Sequence, residues 1–264
     1  MRLDQETVQW ALRRKISRET LRKMSVGGEI TSYGDGNKQT IIFNYLDAHG
    51  EIVNWKARSL ADKVFRQKSG GKQQFYNQAA VAAGPLDEIY ITEGEMDALA
   101  LIEAGVPPHG VLSVVGGAPA NKTENPAEAK RYGYVADALK EFLLKCKRII
   151  LVTDNDEPGR HLRADLAHVI GAAQCFWVDW PQGIKDANDA LMKWGAEDLS
   201  MYLRESPAPY PIEGIYRLSE IPEPPALTLW QGWPEWESRL MFSPSHLSVM
   251  SGWPGHGKSH LSQQ

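Results

Sequence analysis

Cysteine is scarce in this chain: Cys146 and Cys175 are the only two in 264 residues. Two thiols cannot build a Cys₄ zinc module or a disulfide framework, so no zinc is expected. Both sit in or beside apolar runs, where buried free thiols in a reducing compartment are expected. Long apolar runs are missing as well. None approaches the ~18 residues that read as a membrane span, and Met1 to Glu6 lacks the apolar core of a secretory signal. These absences point to a cytoplasmic setting without membrane partners. Internal repeats are also absent. What remains is an ordinary globular composition, 42% hydrophobic and 23% charged, enough for one large domain or two small ones.

The net charge of −4 hides a division. Residues 1–72 hold 14 Lys and Arg against 8 Asp and Glu, whereas the remainder holds 15 against 25. A basic front beside an acidic remainder suits a nucleic-acid backbone led toward bound cations. A solvated helix carrying Arg13, Arg14, Lys15, Arg18, Arg22 and Lys23 would give the same count.

Local patterning divides the chain into an N-terminal subdomain (1–82), an α/β domain (83–204), a linker (205–240) and the start of a further domain (241–264). Residues 1 to about 25 read as helices broken at Ser17, whose Ser-Arg-Glu-Thr sequence can cap a second helix. Runs at 40–45 and 52–58 flank a turn cluster at 47–50 and suggest a hairpin. From 87 to 205, strands (88–92, 111–115, 148–153, 174–179) alternate with helices (96–104, 132–145, 159–170, 187–194). That alternation predicts an α/β fold with a four-stranded parallel sheet flanked by helices.

Three acidic clusters follow apolar runs in that region. They are Glu93-Gly94-Glu95-Met96-Asp97, Asp154-Asn155-Asp156-Glu157-Pro158-Gly159 and Lys185-Asp186-Ala187-Asn188-Asp189. Carboxyl ends of parallel strands share the edge where ligands bind. Carboxylates gathered there repel one another unless a hard cation such as Mg²⁺ neutralises them. Asp154 and Asp156 could share a cation, Asp186 could complete the site, and Glu93 could ligate metal or act as a general base. Each cluster alone is equally well explained as a helix cap or a helix-dipole partner. Recurrence at successive strand ends favours the metal. Lys56 and Arg58 alternate along one strand face and could aim at a phosphate groove, although a plain polar strand face has the same spacing. Lys122 follows the flexible loop 116–121. Trp10, Trp55 and Trp177 read as core or interface aromatics.

Gly252 to Ser259 matches G-x-x-x-x-G-K-[ST], with Gly252, Gly257, Lys258 and Ser259 as its nucleotide-binding positions. Five residues follow Ser259, and none is a Walker-B acid. The loop is therefore expected to belong to an ATP-binding domain that these residues only begin.

Together, Glu93-Gly94-x-x-Asp97, Asp154-x-Asp156-x-x-Gly159 and Lys185-Asp186-x-Asn188-Asp189 resemble the Toprim signature set. Residues 53–58, 74–77 and the glycine loop before Lys122 extend the likeness. It is to the primase half of phage-type primase-helicases and their mitochondrial relative Twinkle, and it covers nearly the whole chain. The resemblance implies catalytic roles for Glu93, Asp97, Asp154 and Asp156, and metal ligation by Glu93, Asp154, Asp156 and Asp186. It implies nucleotide or DNA contacts by Lys56, Arg58 and Lys122. Mg²⁺ or Mn²⁺ would be the cofactor. Single-stranded DNA, ribonucleoside triphosphates and a helicase domain, hexameric in that family, would be the partners. The expected activity is primase-type RNA polymerisation during DNA replication in a bacterial or phage-infected cell, without helicase activity from these residues alone. The sequence departs from phage primases in lacking a cysteine-rich zinc module. Two rivals remain: a single-stranded-DNA-binding module making few or no primers, and a Toprim nuclease.

Overall fold

A computed structural model describes residues 3–33, 36–212 and 251–256. Its contacts divide the chain into two units, Met1–Glu213 and Gly214–Gln264. Of the second unit only residues 251–256 are described, and Gly252 is exposed there. Gly257, Lys258, Ser259 and the linker beyond residue 212 lie outside the described residues.

The first unit begins with two short helices, each capped by a polar side chain. Asp4 precedes α1 (Gln5–Leu12), and its Oδ1 accepts the Thr7 N–H at 2.8 Å. Ser17 precedes α2 (Arg18–Lys23), and its Oγ accepts the Thr20 N–H at 3.2 Å. The Glu103 carboxylate takes the Ser17 N–H and Oγ–H and the Thr20 Oγ–H, at 3.0, 2.9 and 2.5 Å, tying α2 to a helix far along the chain.

An antiparallel sheet follows, with strands in chain order: β1 (Val26–Tyr33), β2 (Gly36–Leu46), β3 (Ile52–Ser59) and β4 (Phe65–Gln67). The expected hairpin is therefore the middle of a four-stranded meander. Alternate residues of β2, Ile41, Phe43 and Tyr45, are buried as strand periodicity requires. Directly opposite residues share a face, so the pairing of Ile41 with Arg58 and Phe43 with Lys56 fixes both cations on the core-facing side.

After α3 (Gln78–Ala82) the chain alternates β5 (Glu88–Thr92), α4 (Glu95–Glu103), β6 (Val111–Ser113), α5 (Gly133–Glu141), β7 (Arg148–Val152), α6 (Glu157–Ile170) and β8 (Cys175–Trp177). Helices α7 (Ala187–Trp194) and α8 (Ala196–Glu205) and a two-residue strand β9 (Ala208–Pro209) complete the unit. The second sheet has the order β6-β5-β7-β8-β9. Its first four strands are parallel, and β9 adds an antiparallel fifth that the sequence reading did not foresee. Ile89, Ile91, Ile149, Ile150 and Leu151 are wholly inaccessible, the unbroken apolar pattern of strands covered on both faces. No helix among the described residues is long and apolar enough to cross a membrane.

Candidate active site

Three strand-to-helix turns carry the acids, and each turn is built so that its carboxylate sits close to backbone. Between β5 and α4, Gly94 is extended; a Cβ there would lie 2.9 Å from Asp97 Oδ2. Between β7 and α6, Asp156 caps the helix, its Oδ1 accepting the Gly159 N–H at 2.9 Å. Gly159 is needed for the approach, because a Cβ would meet the Asp154 carbonyl oxygen at 2.2 Å. Asp186 caps α7 and accepts the Asp189 N–H at 2.7 Å.

Backbone contacts draw the turns together. The Asp154 N–H donates to Glu93 Oε2 at 3.3 Å, and the Asn188 N–H to Asp97 Oδ1 at 3.1 Å. The Asn155 N–H donates to the Lys185 carbonyl at 2.7 Å, and the Asn155 amide to that of Trp180 at 3.1 Å. Trp180 in turn donates its indole N–H to the Thr153 carbonyl at 3.0 Å. Capping and active-site placement are thus two uses of the same aspartates.

Crowding and burial shift Glu93, Asp97 and Asp154 upward. Burial, reinforced by the Asp154 charge, pushes Glu93 up to about 7. Asp97 is held well above the usual carboxylate range by burial and then by Asp186 and Asp154, against the opposing Asn188 N–H. Asp154 is raised by burial although Lys185 works against it. Lys185 Nζ lies 3.0 Å from Asp154 Oδ2 and 3.8 Å from Asp156 Oδ2. Among the described residues no three acidic, histidine or cysteine side chains are already drawn into a metal cage. The donor set nonetheless fits a hard divalent cation. It offers carboxylate oxygens alone, their charges are mutually destabilising, and an ammonium already neutralises two of them.

The facing wall comes from the antiparallel sheet and the turn after α1. Lys56 Nζ is 3.0 Å from Glu95 Oε1 and reaches the Val115 carbonyl at 3.4 Å; the same Glu95 oxygen accepts the Tyr45 hydroxyl at 2.5 Å. Arg58 is only 8% exposed, and its Nε has no hydrogen-bond partner. Its guanidinium lies over Trp10 and Phe65, at 5.0 and 5.9 Å from the ring centroids. Arg14 stacks on the same indole at 4.5 Å and donates to Asn188 Oδ1 at 3.1 Å.

A cleft of about 1010 Å³ is lined by Lys56 and Arg58 on one side and Glu93, Asp97, Asp154 and Asp186 on the other. Asp156 is not among its lining residues and meets the site through Lys185. Lys122 is exposed on the segment after β6 and does not line the cleft. Sequence reasoning missed Arg14, which the solvated-helix reading of 13–15 had absorbed. Phe65, half exposed on β4, carried no motif. Glu95, Lys185 and Asn188 stood inside the acidic motifs but were given no role of their own. No local pattern marked Glu95, whose burial and ion pair with Lys56 exist only once the two sheets have packed.

Residues 90–191 match a family model described as Toprim-like. The chain is 31% identical over 265 residues to the Twinkle homolog protein, chloroplastic/mitochondrial, of Arabidopsis thaliana, covering 93% of this chain and 36% of that protein. It is 35% identical over 182 residues to the primase homolog protein of the same plant, covering 66% of this chain and 52% of that one. This chain thus spans 36% and 52% of the length of these two relatives. The crystal structure of the primase fragment of the bacteriophage T7 primase-helicase protein superposes with a TM-score of 0.52 at 25% identity, covering 72% of this chain and 71% of that one.

Proposed function

We propose, from the premise that residues 90–191 form a Toprim domain related in sequence to primase proteins, that this chain is a primase-type nucleotidyltransferase. It joins ribonucleotides on single-stranded DNA during DNA replication. The observation that carries the reading is one cleft with strand-end carboxylates on one wall and Arg14, Lys56 and Arg58 on the other.

Glu93, Asp154, Asp156 and Asp186 would hold Mg²⁺ or Mn²⁺, which would supply charge neutralisation at the transferring phosphate when bound, with Asp97 beside them in a catalytic role. Arg58 supports a phosphate contact because a buried guanidinium with an unpaired N–H gains a partner from an anion. Arg14, fixed by Trp10 and Asn188, lies beside it to share that charge. Lys56 is held by Glu95, so it orients the wall as well as adding charge. Lys122 meets the nucleic acid outside the cleft. A helicase domain, in a longer or separate chain, is the partner that Gly252, Gly257, Lys258 and Ser259 introduce.

The test combines the chain, single-stranded DNA, labelled NTPs and Mg²⁺ or Mn²⁺, beside an Asp154→Ala/Asp156→Ala variant. Oligoribonucleotides from the unaltered chain alone are expected. Shortened DNA assigns a nuclease instead. DNA shifted but unchanged, equally by both proteins, leaves a binding module and overturns the catalytic reading.

A further inference from the structure

The ammonium between Asp154 and Asp156 stands where the acids would otherwise meet a metal. Its backbone is fixed from both sides. The Lys185 carbonyl accepts the Asn155 N–H at 2.7 Å, and its own N–H donates to Asp189 Oδ2 at 3.0 Å. The side chain is another matter, with 52% of its surface exposed against 14% for that of Asp154. Asp189 is the weaker competitor for it, because the Oδ2 that holds its backbone N–H is already paired with Lys193 Nζ at 2.9 Å. A pinned backbone with a long, half-exposed side chain makes a cation that can leave without disturbing the turns. A divalent ion and an ammonium cannot both claim the same Asp154 oxygen at contact distance.

We propose that Lys185 is the resident counter-ion of this site. It neutralises Asp154 and Asp156 while the metal is away, and metal entry releases it into the cleft, where its charge becomes available to the substrate's phosphates. This rests on the metal-dependent reading above. Two consequences of opposite sign follow. Removing the ammonium helps the metal and harms phosphate binding, a combination that a merely structural lysine would not produce.

The experiment titrates Mn²⁺ into the full chain and follows the free-ion signal by electron paramagnetic resonance. Unaltered protein, Lys185→Gln, Lys185→Arg and Asp154→Ala/Asp156→Ala are compared. Loss of a half-exposed ion pair predicts Mn²⁺ binding tighter by about two- to fivefold in Lys185→Gln. ATP affinity, measured with Mg²⁺ saturating, falls in Lys185→Gln and is retained in Lys185→Arg. Tighter metal binding cannot arise from misfolding, so the expected result is unambiguous. Unaltered protein that binds Mn²⁺ while Lys185→Gln binds it equally or more weakly overturns the counter-ion role alone. Tighter Mn²⁺ binding with unchanged ATP affinity overturns the phosphate half. Unaltered protein binding no better than the double alanine variant overturns the metal reading and this inference with it.

Discussion

Metal-free protein should lose stability as pH rises through the range where most proteins gain it, and Glu93 is the reason. Its carboxyl titrates near 7 in the folded chain against an ordinary value of 4.5. Between those values the folded state holds a proton that the unfolded state has released. The slope of unfolding free energy with pH is therefore negative there. Above about 7 the accumulated cost is of the order of 3 kcal/mol, taking 1.36 kcal/mol per pKa unit. Asp97 and Asp154 are shifted in the same direction and add to it. Acids shifted downward, Glu19, Asp47, Asp62 and Asp189, act with the opposite sign and below the ordinary carboxylate range.

The assay is urea unfolding followed by tryptophan fluorescence in EDTA from pH 4.5 to 8, for the unaltered chain and Glu93→Gln. The amide mimics the protonated carboxyl, so the two should coincide near pH 4.5. Glu93→Gln should then become more stable by up to about 3 kcal/mol above pH 7. Groups common to both proteins largely cancel in the difference. Saturating Mg²⁺ should shrink the gap by stabilising the chain that keeps its carboxylate more than the variant. A difference that stays flat from pH 4.5 to 8 refutes the argument that burial and crowding hold Glu93 protonated.

Three further expectations concern how the cleft is held. Glu95→Gln or Lys56→Met alone should cost about 3 kcal/mol in urea unfolding by stranding a buried charge, while the double variant should recover much of it; equal and additive losses would show that the pair is not coupled. Gly159→Ala should weaken Mn²⁺ binding, because its Cβ would sit 2.2 Å from the Asp154 carbonyl; unaltered binding would show that the turn yields freely. Ser17→Ala should lower the thermal midpoint, costing about 1 kcal/mol for the lost cap; no change in midpoint would show that Glu103 alone holds the start of α2.

What the sequence disclosed follows from what each element depends on. Strands β5 and β7 are covered on both faces, so their unbroken apolar runs were legible, and so were the acids at their ends. Strand β1 was hidden because Gly27 and Gly28 are buried in it while Ile30 is 68% exposed, which destroys the alternation. Strand β4 has three exposed residues and exists through its pairing with β3. Helix α8 follows α7 with Gly195 as the sole joint, at φ +97°, so no loop announced it. The cleft's basic wall was half legible: Lys56 and Arg58 share a strand face, but Arg14 meets Asn188 across 174 residues, a distance no local pattern spans.

The ends of the parallel sheet carry a consequence for solubility. At one end, Pro209 of β9 has no N–H to donate, so the outermost ladder cannot be extended at that residue. At the other, β6 is only three residues long, and Ser113 exchanges backbone bonds with Tyr76 at 2.9 and 3.4 Å. Each flank is thereby blunted against strand addition. A second copy, or a partially unfolded one, therefore meets a poor template for edge-to-edge growth on this sheet, which favours a domain that stays apart from its copies when concentrated.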